Sequence, residues 1–219
     1  YRFHEDEIAS VFAYHNPKNQ ENNLIVDGIG MTALGSETKL MAHLPFALHK
    51  DPKNMLVVAF GMGTTYRSAL LDGLTVDAVE LSPSVPKMMD IFFSDAEQFL
   101  SHPHGRVIIN DGRNYVRLTS KRYDAVVIDP PPPFNSAGTT VLYARDFYRQ
   151  ISAHLNPEGL VSQWLFFGSR VDDLGMSIRS FTDVFPNVMA FRSPGTIPGI
   201  YLVGSNEPIT LDSTRFQDV

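Results

Sequence analysis

The chain has 219 residues, of which 43% are hydrophobic and 19% are charged, and its formal net charge is −6. This length and hydrophobicity suffice for one full core with a small appended subdomain. A mildly acidic chain without a block of Lys and Arg is not expected to bind nucleic acid independently of sequence. Since cysteine is absent, disulfides, thiolate metal sites and cysteine nucleophiles are excluded.

Residues 1–50 have the pattern of a small antiparallel subdomain followed by a linking helix. After mixed apolar spacing in FHEDEIASVFAYHN, the stretch NLIVDGIGMTAL has two short apolar runs around an Asp-Gly turn. This arrangement predicts a β-hairpin. The next stretch, ETKLMAHLPFALH, has apolar residues at roughly helical spacing and predicts a helix.

From residue 51 to residue 219 the pattern alternates between strands and helices. The predicted strands are NMLVVAF, TVDAVEL, RVIIND, RYDAVVID and LVSQWLFF. The predicted helices are TYRSALL, SVPKMMDIFF, RNYVRL, ARDFYRQISAHL (stopped by NPEG) and DDLGMSIRSFTDVF. Two last strands, VMAFRS and GIYLVGS, have the spacing of an antiparallel edge hairpin. Continuous apolar strands alternating with helices predict an α/β fold with a doubly wound, mostly parallel sheet.

The ends of four consecutive strands carry residues suited to binding a nucleoside. Gly61 and Gly63 form a G-x-G turn, which lets the backbone approach a ligand closely. Glu80, about 20 residues further on, is placed to bond a ribose diol. Asp111 is placed to accept from an adenine amine, although an ordinary Asx turn before a helix would also account for it. Asp129 ends the fourth strand.

Four prolines, Pro130 to Pro133, directly follow Asp129. Because proline fixes φ and has no backbone donor, this segment forms neither a helix nor a central strand. It predicts a stiff, extended wall beside the carboxyl end of the strand. Ligands of open α/β sheets bind at this end.

Six stretches resemble, in order and spacing, the motifs of the spermidine synthase (polyamine aminopropyltransferase) family. They are AFGMGTTYRSALL, DAVELSPSV, INDGRNYV, RYDAVVIDPPPP, LYARDFY and LNPEGLVSQW. The resemblance covers about residues 5 to 205. It implies a Rossmann-like fold of the S-adenosylmethionine methyltransferase type over residues 51–219, preceded by a β-hairpin subdomain in residues 1–50.

The resemblance also implies site residues. The cosubstrate would be S-adenosylmethionine or its decarboxylated form, without a metal, and the acceptor a polyamine-type amine. The implied cosubstrate-binding residues are Gly61, Met62 and Gly63 at the sulfonium arm, Glu80 and Leu81 at the ribose, Asp111 and Gly112 at the adenine, and Asp129 and Pro130 at the reacting centre. The implied catalytic residues are Asp129 and Tyr143, although Tyr143 also suits a core position. A carboxylate such as Asp129 can take the proton that an ammonium must lose before attack.

This chain departs from the family pattern on the acceptor side. Met62 stands where the family has an acid that binds the aminopropyl arm, and Pro132 stands where it has a second aspartate. Glu37 and Thr38 fall near the family's Tyr-Gln acceptor pair. This pattern is closer to divergent spermidine-synthase-like domains, which are often fused to membrane transporter-like segments.

Two alternatives to aminopropyl transfer stay open at this point. One is a methyltransferase or an enzyme that cleaves the sulfonium compound, and the other is a nucleoside- or polyamine-sensing domain of a transporter. The chain starts at Tyr1 rather than Met, so we expect a fragment of a longer protein, with any membrane segment outside it. A cytoplasmic location and a homodimer are further expectations.

Overall fold

An antiparallel sheet of four strands occupies the start of the chain in this computed structural model, which describes residues 1–18, 21–33, 35–128, 139–168, 170–194 and 198–212. Its strands, in spatial order, are β1 (Arg2–Glu5), β2 (Ser10–Asn16), β3 (Glu21–Val26) and β4 (Ile29–Ala33). The predicted hairpin is confirmed as β3–β4, in which Asp27 and Gly28 have φ angles of 51° and 77°. Two successive positive φ angles are typical of a tight hairpin turn.

Strands β1 and β2 lie in the stretch for which the sequence predicted no element. In β2, Val11 and Ala13 are buried under the sheet, while the alternate residues Phe12 and Tyr14 lie on the other face with their rings 5.5 Å apart. Because aromatic residues occupy the outer face, both faces are apolar in the sequence. The period of two that marks a half-buried strand is therefore hidden.

The predicted linking helix is confirmed as α1 (Ser36–Leu48), which buries Met41, Ala42 and Leu44. It packs in one core cluster with residues of the N-terminal sheet and with Met55 and Val57 of the next strand. The helix therefore joins the small sheet to the large one. A domain boundary between residues 50 and 51 stays a prediction.

The rest of the described chain forms a seven-stranded sheet in the order β10-β11-β9-β8-β5-β6-β7. Strands β5 to β9 pair with one another in parallel. Strands β10 and β11 pair antiparallel at one edge, which confirms the predicted edge hairpin. The strands are β5 (Asn54–Val58), β6 (Thr75–Glu80), β7 (Gly105–Ile109), β8 (Tyr123–Ile128), β9 (Leu155–Phe166), β10 (Asn187–Arg192) and β11 (Gly199–Ser205).

Helices cover both faces of this sheet, which confirms the doubly wound α/β fold. They are α2 (Thr64–Leu71), α3 (Met89–Phe92), α4 (Ala96–Leu100), α5 (Gly112–Leu118), α6 (Arg145–Ala153) and α7 (Val171–Thr182), with 3₁₀ turns at Pro86–Met88 and Thr140–Tyr143. Strand β5 sends Met55 and Val57 into one core cluster and Leu56 and Val58 into the other. Burial on both faces explains why the strand sequence is continuously apolar.

Two local features differ from the sequence prediction. The short helix α4 was not predicted. The NPEG stretch, predicted only to stop α6, lies inside β9, where the pairing with β8 shifts between Tyr123 and Ala125. Glu158 of this stretch has a φ of 60°. Between the pairs Tyr123–Leu155 and Ala125–Leu160 the chain advances five positions in β9 but only two in β8, so β9 accommodates three extra residues where the chain passes from α6 into the sheet.

The order of the strands reverses between β5 and β8, since the chain passes from β5 to β6 and β7 on one side and later to β8 and β9 on the other. Open α/β sheets bind ligands in the crevice at such a point, beyond the carboxyl ends of the strands. In the described ranges, no helix has the length and hydropathy needed to cross a membrane.

Candidate functional site

The carboxyl ends of β7, β6, β5 and β8 lie side by side at the edge where the strand order reverses. The pairing sets Glu80 beside Ile109, Val79 beside Val58, and Val58 beside Ile128. Adjacent strands in a sheet are about 4.8 Å apart. The predicted G-x-G turn after β5, Glu80 at the end of β6 and Asp111 after β7 are therefore brought to one edge of the sheet.

The loop between β5 and α2 has an unusual backbone. Ala59, Gly61 and Gly63 have φ angles of 72°, 55° and 82°. A β-carbon on Gly61 would meet nothing within 4 Å, whereas one on Gly63 would lie 2.8 Å from Cζ of Phe60. Gly63 is thus required by packing, and Gly61 leaves open space beside the loop. The positive φ of Ala59 is sparsely populated by residues with a side chain, and such conformations cluster at functional sites.

Glu80 at the end of β6 holds this loop through main-chain amides. Its Oε2 accepts from the N–H of Phe60 at 3.0 Å, and its Oε1 accepts from Leu81 at 2.8 Å and Ser82 at 3.1 Å. Burial raises the pKa of Glu80, and the bonds from these amides and from Gly61 offset part of that rise. The carboxylate therefore lies between two loops, without a cationic side chain among its described partners.

The neighbouring predicted residues line the same edge. Leu81 is 47% exposed and Ile109 is 48% exposed, so the edge also presents apolar surface. Asp111 caps α5 by accepting from the N–H of Asn114 at 2.9 Å, as the Asx-turn alternative predicted. A β-carbon on Gly112 would lie 2.7 Å from Cγ1 of Val58, so this glycine lets α5 start close to β5.

Met62 lies in the middle of the glycine loop, but its side chain is 2% exposed and packs in the core. In place of the acid expected from the family pattern, this position therefore supplies core packing. Contact between Met62 and a cosubstrate stays a prediction, and it would involve the main chain.

Asp129 and Pro130 lie outside the described residues, as do the other three prolines. What the structure shows is where the preceding strand ends. Ile128, the last residue of β8, is fully buried and pairs with Val58 of β5 and Gln163 of β9. The roles assigned to Asp129 and Pro130 stay predictions.

Tyr143 ends the 3₁₀ turn before α6, and it is 8% exposed. It belongs to the core cluster that also contains Leu56 and Val58 of β5, together with Phe147 and Tyr148. This placement agrees with the core alternative. A catalytic role for Tyr143 stays a prediction.

A buried polar pair beside the end of β8 was missed by the sequence reasoning. Gln163 is fully buried on β9 next to Ile128, and its Oε1 accepts from the hydroxyl of Tyr148 at 2.5 Å. Its Nε2 has no hydrogen-bond partner among the described residues. A glutamine inside the apolar run LVSQWLFF was the available signal, because a buried amide needs partners.

A second buried polar group lies at the start of α1. Glu37 is 8% exposed, and its carbonyl accepts from the hydroxyl of Tyr201 at 3.0 Å. The next carbonyl, that of Thr38, accepts from Oγ1 of Thr65 in α2 at 3.1 Å. The start of α1 is therefore held against β11 and against the helix that follows the glycine loop. In the described part of the chain, no three His, Asp or Glu side chains come together as metal ligands.

Comparison with known proteins identifies relatives of this chain. A polyamine aminopropyltransferase of Methanocaldococcus jannaschii is 32% identical over 57% of this chain and 43% of its own length. That of Thermococcus kodakarensis is 28% identical over 83% of this chain and 67% of its own length. The matched part of the chain thus spans between 43% and 67% of the length of these curated relatives.

A crystal structure of spermidine synthase from Thermotoga maritima superposes with a TM-score of 0.80 at 22% identity, covering 94% of this chain and 72% of that one. This likeness shows a shared fold. The profile of the spermine/spermidine synthase domain matches residues 35–165, which is more than half of the chain. The chain therefore belongs to the spermine/spermidine synthase family.

Proposed function

We propose that this chain transfers an aminopropyl group from decarboxylated S-adenosylmethionine to a polyamine-type amine and releases methylthioadenosine. The observation that carries this proposal is the arrangement of Glu80 and the glycine loop at the point where the strand order reverses. It is supported by the relatives, which are named for aminopropyl transfer.

In this proposal, the edge beyond β5, β6 and β7 binds the nucleoside. Glu80 accepts from the ribose hydroxyls, because its carboxylate is already held in place by amides of both loops. Leu81 offers apolar surface beside it, and Asp111 binds the adenine amine. The open space beside Gly61 receives the sulfonium arm.

The reaction itself is a displacement at carbon. The lone pair of the amine forms a bond to the aminopropyl carbon attached to sulfur, and the carbon–sulfur bond breaks. Its electron pair returns to sulfur, which becomes a neutral thioether. The proton lost by the amine passes to Asp129, which also stabilises positive charge nearby.

The acceptor side of the proposed site differs from the family pattern and carries fewer acids. Position 62, where the family pattern has an acid, is a buried methionine, so it supplies no carboxylate to the aminopropyl arm. Two buried polar groups are our candidates for this side, namely Glu37 at the start of α1 and Gln163 beside the end of β8. A carboxylate suits a cationic amine, since opposite charges attract strongly where water is excluded.

Product analysis by mass spectrometry tests the proposal. The protein is incubated with S-adenosylmethionine or its decarboxylated form, each with and without a panel of diamines. We expect methylthioadenosine and an aminopropylated amine only with the decarboxylated form plus an amine. S-adenosylhomocysteine would instead show methyl transfer, and methylthioadenosine without an amine would show cleavage. No product in any mixture would favour a sensing domain.

The variant Asp129→Asn tests the catalytic assignment. We expect the turnover rate to fall by about 10²- to 10⁴-fold, the usual contribution of general acid–base catalysis. The matched control is Asp146→Asn, which changes an exposed aspartate that pairs with Arg149 on the surface of α6. Equal rates in the two variants would contradict the role of Asp129.

A further inference from the structure

Asp6 lies in the turn between β1 and β2, and it contacts the loop that follows β6. Its Oδ1 accepts from the N–H groups of Ile8 at 2.8 Å and Ala9 at 2.9 Å, which shapes its own turn. Its Oδ2 accepts from the hydroxyl of Ser82 at 2.6 Å and from the N–H of Ser84 at 2.9 Å. One carboxylate thus joins the N-terminal sheet to the large sheet.

Glu80 holds the first residues of the same loop. The N–H of Ser82, whose hydroxyl donates to Asp6, donates to Oε1 of Glu80 at 3.1 Å. Ser82 is 3% exposed and Ser84 is 1% exposed, so both contacts are sheltered from water. The loop of residues 81–84 is therefore held between two carboxylates, one from each sheet.

The charge of Asp6 strengthens this contact. Burial alone would raise the pKa of Asp6, but the hydrogen bonds from Ser82, Ser84, Ala9 and Ile8 outweigh it and hold the pKa well below its usual range. The group is an anion at neutral pH and accepts all four bonds. Hydrogen bonds to an ionised acceptor are about twice as strong as neutral ones.

We propose that Asp6 is a positioning residue for the nucleoside site, which fixes residues 81–84 and through them the carboxylate of Glu80. This inference rests on the proposed function, because the ribose is the ligand assigned to Glu80. Asp6 itself acts through Ser82. The small N-terminal sheet thereby takes part in nucleoside binding.

A second contact of the N-terminal sheet with the rest of the chain provides a matched control. Arg2 of β1 donates to the carboxylate of Asp90 and to the carbonyl of Lys87. This ion pair lies on the surface, with side chains 38% and 53% exposed. It attaches β1 to α3, and the hydrogen-bond partners of Arg2, Lys87 and Asp90, lie outside residues 81–84. Removing it separates simple attachment of the sheet from positioning of Glu80.

The experiment measures methylthioadenosine binding by calorimetry in the wild type, Asp6→Asn, Ser82→Ala, the double variant and Asp90→Asn. The amide group introduced by Asp6→Asn is neutral, and its NH₂ end would face N–H or O–H groups from which the carboxylate accepted. We expect Kd to rise about tenfold in Asp6→Asn, a change of about 1.4 kcal/mol. Asp90→Asn should stay within about twofold of the wild type, since a surface ion pair contributes little.

Because Asp6 and Ser82 act in one chain of contacts, their effects on Kd should be less than additive in the double variant. Amide hydrogen exchange gives a readout without ligand: we expect faster exchange at residues 82 and 84 in Asp6→Asn, but not in Asp90→Asn.

Unchanged binding in Asp6→Asn, or an equal loss in Asp6→Asn and Asp90→Asn, would overturn the positioning role while leaving the proposed function intact. Absence of binding by the wild type would instead overturn the proposed function. In that case amide hydrogen exchange still tests the contact between Asp6 and the loop of residues 81–84. Unchanged exchange at residues 82 and 84 in Asp6→Asn would contradict that contact.

Discussion

Two carboxylates on strand β6, three positions apart, have opposite surroundings. Asp77, toward the amino end of the strand, accepts from Nζ of Lys121 at 2.7 Å and from the hydroxyls of Tyr123 at 2.8 Å and Tyr115 at 3.1 Å. Nε of Arg106 lies 3.2 Å from its other oxygen. Glu80, at the carboxyl end, is held by main-chain amides of two loops.

The pKa values of the two groups shift in opposite directions as a result. Burial raises the pKa of both. At Asp77 the bonds from Lys121 and Tyr123 and the charges of Lys121 and Arg106 outweigh burial, so its pKa is lowered. At Glu80 neutral amides offset burial only in part, so its pKa is raised.

The difference between Asp77 and Glu80 distinguishes the two ends of the sheet. A surface cavity of about 340 Å³ opens beside Asp77, but the lysines that line it are engaged: Lys121 pairs with Asp77, and Lys53 pairs with Asp51. The charge of Asp77 therefore serves the fold. The charge of Glu80 has no cationic side chain among its described partners, which is consistent with the proposed role of Glu80 in binding the ribose.

The largest expected effect is on stability at the amino end. In Asp77→Ala, Lys121 and two buried hydroxyls lose their shared acceptor, so the free energy of unfolding should fall by about 3 kcal/mol. Urea unfolding measures this loss, and methylthioadenosine affinity should stay unchanged. The control Asp183→Ala removes an exposed pair with Arg145 and should cost at most about 1 kcal/mol. A large loss of affinity in Asp77→Ala would break the comparison.

The next effect is on binding at the carboxyl end. In Glu80→Gln the ribose hydroxyls lose a charged acceptor, so Kd for methylthioadenosine should rise about 10- to 100-fold. The amide oxygen still accepts from the main-chain N–H groups of one loop, and only the N–H that faces the NH₂ end loses its acceptor. Stability should therefore change less than in Asp77→Ala. Calorimetry measures the affinity, and Glu97→Gln, on the exposed side of α4, is the control. Wild-type affinity in Glu80→Gln would contradict the ribose assignment.

The smallest effect is the pH dependence of stability. Since the folded pKa of Asp77 is lowered, its contribution is present above the unfolded value of about 3.9 and is lost as the pH falls through the folded value. The difference in unfolding free energy between the wild type and Asp77→Ala should therefore shrink as the pH falls below about 4. For Glu80, whose pKa is raised, the contribution is present at low pH and lost on raising the pH. Urea unfolding at several pH values measures both, and parallel curves for all proteins would contradict the assigned shifts.

The sequence predicted the large sheet well because its strands are buried on both faces. AVVI in β8 is apolar throughout, and the G-x-G turn after β5 follows a continuous apolar run. The Asp27-Gly28 turn was recognisable since few residues adopt positive φ. Strand β2 was missed, because Phe12 and Tyr14 on the outer face obscure the alternation with Val11 and Ala13. Strand β1 was missed, because its four residues, RFHE, are too few to show a period.

The candidate site was predictable only where the chain order itself places residues. Parallel strands bring their carboxyl ends to one edge, so Gly61, Glu80 and Asp111 were expected together. The burial of Met62 was not predictable from its position between two glycines. Gln163 and Tyr148 were missed, since their contact joins two elements that no local pattern relates.

The sequence by itself determined the fold class, the family and the position of the strand-tip residues, because periodicity and short motifs depend on neighbours along the chain. The tertiary structure alone decided what each polar group contacts. Asp6 reaches Ser82 across 76 positions, and Asp77 reaches Lys121 across 44. The difference between Asp77 and Glu80 therefore arises from packing, since burial and partners from distant elements determine whether a carboxylate is paired or available.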